Sequence, residues 1–573
     1  MKIVIVGGVA GGASAAVRAR RLSEDASIVV LEKSEYVSFA NCGLPYHIGG
    51  TIPLRQSLIL KSPEEFKARF NIDVRVRHEV KSVDVLEKTV TIQNLDTGEL
   101  YRESWDRLLL STGAEPVIPP LPGLKEPGIF TLRNLKDMDA VQDWIREHDV
   151  SHVTLIGGGF VGLEVMEALT GRGIHVTLLE MSDQVMAPVD PEMASYLHQE
   201  IISNGVELRL KTALNGVVMD ESGFCIETST GEFLRTDMII MAIGVKPENS
   251  LAASAGIVLG ERGGIKVDAD MQTSVPNIYA VGDAVETSDF VFSEPALIPL
   301  AGPANRQGRI AADNMFKRNS RYRGSQGTSV CKIFSLTIAS CGANEKQLNS
   351  RGMRYEKIYI HAPDHASYYP NATVISLKLL FSPVTGRILG AQAVGEKGVD
   401  KRIDVLAVAQ RAGMSVTDLE HLELTYAPPF NSARDIVNQA GMVATNIING
   451  DTEVCHVDDI LQRDPERYCL VDIRTPEELI RYGEYPNALN IPLDSLRDNL
   501  SLLPRDKEIL IGCQTGLRGH VAYRILKAHG FCAKNLSGGF STWKAVTQSM
   551  TFPVRTGKHG EREHLSRKPL FKG

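Results

Sequence analysis

The sequence predicts an α/β protein of several domains: two parallel-sheet βαβ halves, a mixed α+β domain and a further small α/β unit. Three observations predict it. A short apolar strand, a glycine-rich turn and a helical pattern follow one another twice, around residues 3–22 and 153–171. A fresh apolar pattern opens near residue 328, and strands and helices alternate anew from about 455. The 573 residues suit about three to five domains at ~100–200 residues each.

The first βαβ unit reads Ile3-Val4-Ile5-Val6, then Gly7-Gly8-Val9-Ala10-Gly11-Gly12, a helix and the strand Ile28–Glu32. Residues 66–110 alternate like an antiparallel meander with a turn at Asp96-Thr97-Gly98, and 134–149 repeats as a helix. The second unit reads Val153–Ile156, then Gly157-Gly158-Gly159-Phe160-Val161-Gly162, a helix and the strand His175–Glu180. Short apolar runs near 237–243 and 277–281 are buried strands, and 449–452 is a linker. The last unit has strands at Tyr468–Asp472 and Glu508–Gly512, and from about Arg555 a charged, apolar-poor tail is expected to be disordered.

Composition narrows the function classes. With 43 % hydrophobic and 23 % charged residues the chain is neither disordered nor fibrous. Sixty-two Lys/Arg against 69 Asp/Glu, net −7, argue against a nucleic-acid partner. No apolar run reaches the ~18 residues of a membrane span, and the N-terminal strand turns at once into a glycine loop. A cytoplasmic protein without a membrane partner is expected. The 8 cysteines show no CxxC pair and no zinc spacing, so no metal is expected and free thiols are.

A glycine turn at a helix start lets backbone N–H groups face a pyrophosphate that side chains would block. Gly157, Gly159 and Gly162 form a full G-x-G-x-x-G, and Glu180 follows at a strand end, where a carboxylate takes ribose hydroxyls. Met181-Ser182-Asp183 come next, with no cation for a 2′-phosphate, which favours NADH over NADPH. The first loop has Val9 where the second glycine is expected, yet Glu32 stands at the matching distance. Far downstream, Ala280-Val281-Gly282-Asp283 ends a strand with an acid suited to a ribityl hydroxyl, and Ser111-Thr112-Gly113 makes another small-residue turn.

These three motifs resemble the FAD/NAD-linked disulfide reductases over about residues 1–445. The resemblance implies two Rossmann-like dinucleotide-binding domains, the FAD domain discontinuous at 1–113 and 238–325, with the NAD domain at 114–237 inserted. An α+β dimerisation domain at 326–447 and a homodimer follow. FAD would lie against Gly7, Gly8, Ala10, Gly11, Glu32, Lys33, Thr112, Gly113, Gly282, Asp283 and Ala301. NAD would lie against Gly157, Gly159, Phe160, Gly162, Glu180 and Gly244.

Two-cysteine members carry a CxxxxC pair after the first βαβ unit. Here Ser38-Phe39-Ala40-Asn41-Cys42-Gly43-Leu44-Pro45-Tyr46 holds one cysteine, which must cycle through a mixed disulfide, a persulfide or a sulfenic acid. At a helix start its thiolate is expected to be stabilised. The segment resembles coenzyme A disulfide reductases and, more loosely, NADH oxidases and peroxidases; the first glycine loop lacks the His of the peroxidases. The resemblance implies coenzyme A contacts from Ser14, Arg18, Arg21, Ser38, Asn41 and Arg434. It also places Tyr426 and one of Tyr368 or Tyr369 beside the partner subunit's redox sulfur.

After a linker at 448–455, residues 456–550 resemble a C-terminal rhodanese α/β domain, through Asp472-Ile473-Arg474, Cys513-Gln514-Thr515-Gly516-Leu517-Arg518 and Ser537-Gly538-Gly539-Phe540. Backbone N–H groups of the Cys513 loop would hold a thiolate or persulfide, with Arg518 adding charge. No cation follows Cys513, which weakens a thiosulfate-specialist reading. Residues 551–573 are the expected tail. The whole resembles the NADH-dependent persulfide reductases, or coenzyme A disulfide reductase–rhodanese fusions: Cys42 turning over coenzyme A disulfide, persulfide or polysulfide, Cys513 loading sulfane sulfur. The alternatives are an NADH oxidase/peroxidase with a Cys42 sulfenic acid and a sulfur-relay module.

Overall fold

A computed structural model describes residues 1–551 apart from Ser222; the expected tail, beyond its first residue, lies outside the described residues. The chain forms two compact units. The first comprises Met1–Met181 and Thr212–Gly327; the second comprises Ser182–Lys211 and the chain from Thr328 onward.

The first unit contains two parallel sheets. In one, β1 (Lys2–Val6) lies between β2 (Ser27–Glu32) and β3 (Arg107–Leu110), with β4 (Ile278–Ala280) beyond β3. Strand alternation sends Ile3 and Ile5 to one face and Val4 and Val6 to the other, and all four are buried. The first face packs on α1 (Ala10–Leu22) through Ala15, Ala16 and Ala19, and on the helix Ala301–Met315. The second face packs on Val80, Val90 and Ile92. Those residues belong to the antiparallel meander, which covers 78–104 rather than 66–110. Pro63–Phe70 is instead a helix, because Ser62 and Glu65 form a capping box around Pro63; Asp73–Val76 pairs parallel to β2.

The second sheet carries β5 (His175–Leu179), β6 (His152–Ile156), β7 (Met238–Met241) and Ile129–Phe130 side by side, all parallel. Here α2 (Phe160–Gly171) follows the glycine turn. The helix expected at 134–149 is Leu135–Glu147, N-capped by Asn134. No helix among the described residues is long and apolar enough to cross a membrane.

In the second unit, residues 329–395 fold into a five-stranded antiparallel sheet, whose edge strand Glu356–Pro363 pairs with Val374–Phe381. Helices Val399–Ala412 and Ile436–Ile448 pack on it through Ile403, Leu406, Val437 and Ala440. A separate parallel sheet runs Val454–Cys455, Ala533–Leu536, Glu508–Gly512, Tyr468–Asp472, Leu489–Asn490. The linker expected over 448–455 therefore ends in a strand of this sheet, Val454 pairing with Asn535. Ser537 accepts from Tyr359 N–H at 3.2 Å and Thr542 meets His361 Nε2 at 2.8 Å, so the two sheets of this unit are joined by hydrogen bonds.

Candidate functional sites

The two glycine turns repeat one geometry. β1 ends level with β2, Val6 opposite Leu31, and β6 ends level with β5, Ile156 opposite Leu179. The next residue of each central strand is therefore beside the acid of its neighbour. Gly8 N–H donates to Glu32 Oε2 at 2.9 Å, and Gly158 N–H donates to Glu180 Oε2 at 2.7 Å. Gly7 and Gly157 adopt φ of +95° and +105°, open to glycine at little cost. A Cβ on Gly12 would lie 1.9 Å from Gly7 O, and one on Gly162 would lie 2.0 Å from Gly157 O. Each third glycine thus lets its helix touch the turn. Gly12 was not among the expected FAD residues, although its place in the spacing marks it. A Cβ on Gly159 would meet nothing within 4 Å, leaving a clear approach to the N-terminus of α2.

The downstream motif converges on the first turn. A Cβ on Gly11 would meet Val281 at 2.8 Å, and Gly282 N–H donates to Gln307 Oε1 at 2.8 Å. Ala301 opens the helix that carries Gln307. Asp283 has no hydrogen-bond partner among the described residues, and burial raises its pKa. Thr112 Oγ1 donates to Glu248 O at 2.5 Å, Gly113 has φ +75°, and Lys33 is exposed just past Glu32. Gly244 has φ +116° and accepts from Val117 N–H through its carbonyl. The glycine cradle, the strand-end acid and the unpartnered Asp283 fit a flavin dinucleotide; the open Gly159 face and Glu180 fit a nicotinamide dinucleotide.

Cys42 is exposed in a 3-10 turn, Asn41–Gly43, which runs into the five-residue helix Leu44–Ile48. Its thiol donates to Asn41 Oδ1 at 3.8 Å. Its pKa is raised, first by the desolvation of its recess and then by the Glu164 and Asp283 carboxylates. This corrects the expectation of a stabilised thiolate: the helix is one short turn, and desolvation together with the two acids outweighs the backbone donor. Glu164 was not singled out in the sequence. It sits on α2, accepts from Tyr46 OH at 3.2 Å, and has its own pKa raised by burial. Ser38 has φ +50° and donates its N–H to Gly8 O, tying the Cys42 segment to the first turn.

On α1, Ser14 donates to Asn305 Oδ1 at 2.5 Å and Arg18 pairs with Asp313 at 2.7 Å, whereas Arg21 is exposed. Of the two cations expected to face phosphates, Arg21 is the one the structure does not already pair.

In the second unit Tyr368 OH and Tyr426 OH lie 2.9 Å apart, and the hydrogen bond raises the Tyr368 pKa. Tyr369 packs edge-on to His365 instead. Arg402 explains the pairing: fully buried, it reaches Asp364 O, Asn431 Oδ1 and Asp435, pinning both tyrosine loops. Arg434 is exposed beside them. Arg402 carried no motif signal.

Cys513 is buried at the end of Glu508–Gly512. Gly516 and Gly519 N–H donate to its sulfur at 3.0 and 3.2 Å. Burial raises its pKa more than these donors and Arg518 lower it. Phe540 N–H and Tyr485 OH both donate to Cys513 O, bracing the loop from behind. Arg518 is turned to Glu478, in a two-pronged pair at 2.8 and 2.5 Å.

The model of the pyridine nucleotide-disulphide oxidoreductases matches residues 1–308, more than half of the chain. The chain belongs to that family. The family's dimerisation domain matches 328–436 and a rhodanese-like domain matches 457–546. The chain is 35 % identical over 447 residues to the coenzyme A disulfide reductase of Staphylococcus haemolyticus, covering 78 % of this chain and all of that one. It is similar to the crystal structure of reduced Bacillus anthracis CoADR-RHD, at 49 % identity and a TM-score of 0.93, covering 95 % and 98 % of the two chains. It is also similar to an NAD-dependent persulfide reductase from A. fulgidus, at 36 % identity and a TM-score of 0.89, covering 95 % of this chain and all of that one. This member of the pyridine nucleotide-disulphide oxidoreductases is thus an enzyme, an oxidoreductase carrying a rhodanese-like domain, and FAD and NAD(P)H are the cofactors its family implies.

Proposed function

We propose that this oxidoreductase reduces coenzyme A persulfide, polysulfide and coenzyme A disulfide with NADH, acting as a homodimer, with sulfane sulfur handled at Cys513. The single thiol Cys42, hydrogen-bonded to Asn41 and tied through Ser38 to the first glycine turn, carries this reading. The names of the relatives support the substrate class. Glu180, followed by exposed Met181, supports NADH. When bound between the first turn and Asp283, FAD supplies the two-electron transfer that returns Cys42 to its thiol state. Cys42 as thiolate attacks the sulfur of coenzyme A disulfide; the S–S bond breaks, coenzyme A leaves as thiolate and takes a proton, and a Cys42 mixed disulfide remains. With the persulfide, attack on the inner sulfur gives the same mixed disulfide and releases hydrosulfide.

Anaerobic NADH consumption with coenzyme A persulfide, coenzyme A disulfide and polysulfide tests the proposal, alongside Cys42→Ser and Cys513→Ser. Cys42→Ser abolishes turnover with all three. Cys513→Ser lowers the polysulfide rate alone. Turnover retained in Cys42→Ser removes the assignment.

A further inference from the structure

The sulfur loop of the rhodanese-like domain has two guanidinium groups beside it, and the structure gives each its own carboxylate. Arg474 is fully buried, paired with Asp472 at 2.7 Å, and donates to Gln514 Oε1 at 3.2 Å from behind the loop. Arg518, inside the loop sequence, has both terminal nitrogens on the two oxygens of Glu478, one helix away at Pro476–Tyr482. That geometry is the strongest form of guanidinium–carboxylate pairing and leaves those donors no lone anion to serve. Glu478 is itself held in place. Thr475 N–H donates to Glu478 Oε2 at 3.0 Å and Glu478 N–H to Thr475 Oγ1, a capping box at the start of its helix. At the rim, Leu517 is 72 % exposed and Gln514 follows the cysteine.

We infer that Glu478 is a specificity-determining residue of the Cys513 site: by occupying Arg518 it turns the site away from the sulfonate of thiosulfate and toward sulfane donors that carry no sulfonate, alkyl persulfides and polysulfide among them. The inference deepens the proposed sulfane-sulfur role of Cys513 and rests on it. Both donors load the cysteine without net redox change. With thiosulfate, the Cys513 thiolate attacks the sulfane sulfur, the S–S bond breaks, sulfite leaves with the electron pair and a Cys513 persulfide anion remains. With a protonated alkyl persulfide, attack on the outer sulfur expels the alkyl thiolate and leaves the Cys513 persulfide, which then loses its proton. Cyanide removes the outer sulfur as thiocyanate and restores the thiolate. The donors differ at the loop mouth: thiosulfate brings a sulfonate that seeks an unpaired cation, whereas the alkyl donor brings none. Glu478→Gln removes the charge and keeps the capping box, in which glutamine substitutes for glutamate.

The test measures thiocyanate formation by the full chain, with thiosulfate and with 2-hydroxyethyl persulfide, in the parent, Glu478→Gln, Glu478→Gln/Arg518→Met and Cys513→Ser. Glu478→Gln is expected to lower the thiosulfate KM about tenfold, the worth of one freed charge-assisted contact. The KM for 2-hydroxyethyl persulfide stays within about twofold, and the thiosulfate gain shrinks at high salt. Adding Arg518→Met erases the gain. An unchanged thiosulfate KM in Glu478→Gln, with transfer still dependent on Cys513, overturns the inference alone. So does a parallel change for both donors, the mark of a purely structural Glu478. Transfer that survives Cys513→Ser overturns the reading of Cys513 itself, and the inference with it.

Discussion

Gly159→Ala and Gly162→Ala, three residues apart in one turn, should fail in opposite ways. At Gly162 an added Cβ lies 2.0 Å from Gly157 O, more than an ångström inside the ~3.3 Å at which carbon and oxygen touch. The turn cannot yield easily, because Gly157 N–H is bonded to Leu179 O and Ala242 N–H to Ile156 O. The helix Phe160–Gly171 must lift instead, and such overpacking costs about 1–3 kcal/mol. At Gly159 the Cβ meets nothing within 4 Å and φ is −81°, so alanine folds there without strain. Its methyl then stands in the approach to the helix N-terminus, where a pyrophosphate would sit. Gly159→Ala should therefore keep the parental unfolding midpoint and raise the KM for NADH about 10-fold or more, consistent with the loss of about 1.4 kcal/mol of binding. Gly162→Ala should lower the midpoint. Differential scanning calorimetry and steady-state kinetics on both variants separate the effects. A Gly159→Ala enzyme with parental KM would refute the reasoning that this turn cradles the nucleotide phosphates.

Three further outcomes follow from the same geometry. His361, half-buried between Ser376 and Thr542, has its pKa lowered to about 4 by desolvation, against 6.5 unfolded; the unfolded chain then binds the proton first, so stability falls as pH drops from about 6.5 to 4, by about 3 kcal/mol, and urea midpoints of His361→Gln should lose that slope. Arg402→Met strands buried Asp435 and should cost about 3–5 kcal/mol in chemical denaturation, whereas a loss under about 1 kcal/mol would show that the tyrosine loops are pinned by other contacts. Glu180→Ala with Met181→Arg should shift preference from NADH toward NADPH about tenfold, read as the ratio of kcat/KM values, since Met181 is 74 % exposed beside the strand-end acid.

What could be read from the sequence is what depends on local chain order. The glycine turns with Glu32 and Glu180, and the buried strands at 238–241 and 278–280, follow from spacing and apolar runs, and the folded strands sit there. The helix at 63–70 escaped because its capping box begins inside a stretch that alternates like strands. Glu164, Arg402 and Glu478 escaped for another reason. Each acts on a residue distant in sequence: Glu164 on Cys42, Arg402 on Asp364 and Asn431, Glu478 on Arg518. No period or motif encodes such pairs. The Cys513 nest of backbone donors follows from the local loop, whereas the raised Cys42 pKa does not, because desolvation and the Glu164 and Asp283 carboxylates come from the fold.

The two sulfur sites differ in how they treat negative charge. Around Cys513 the donors point inward: two backbone N–H groups reach its sulfur, and the raised pKa there reflects burial against them. Such a nest suits a sulfur that must remain an anion while it waits, as a persulfide does. Around Cys42 the charges point the other way. Asn41 Oδ1 accepts from the thiol, and Glu164 and Asp283 oppose a thiolate. A site that disfavours its own anion gains from a cation brought within reach, and from a sulfur that passes quickly into a covalent bond. This contrast supports the proposed division of roles, with Cys513 holding sulfane sulfur and Cys42 turning it over. The order can be read by mass spectrometry after stoichiometric polysulfide without reductant: a persulfide should accumulate on Cys513, and one that accumulated on Cys42 instead would reverse the assignment.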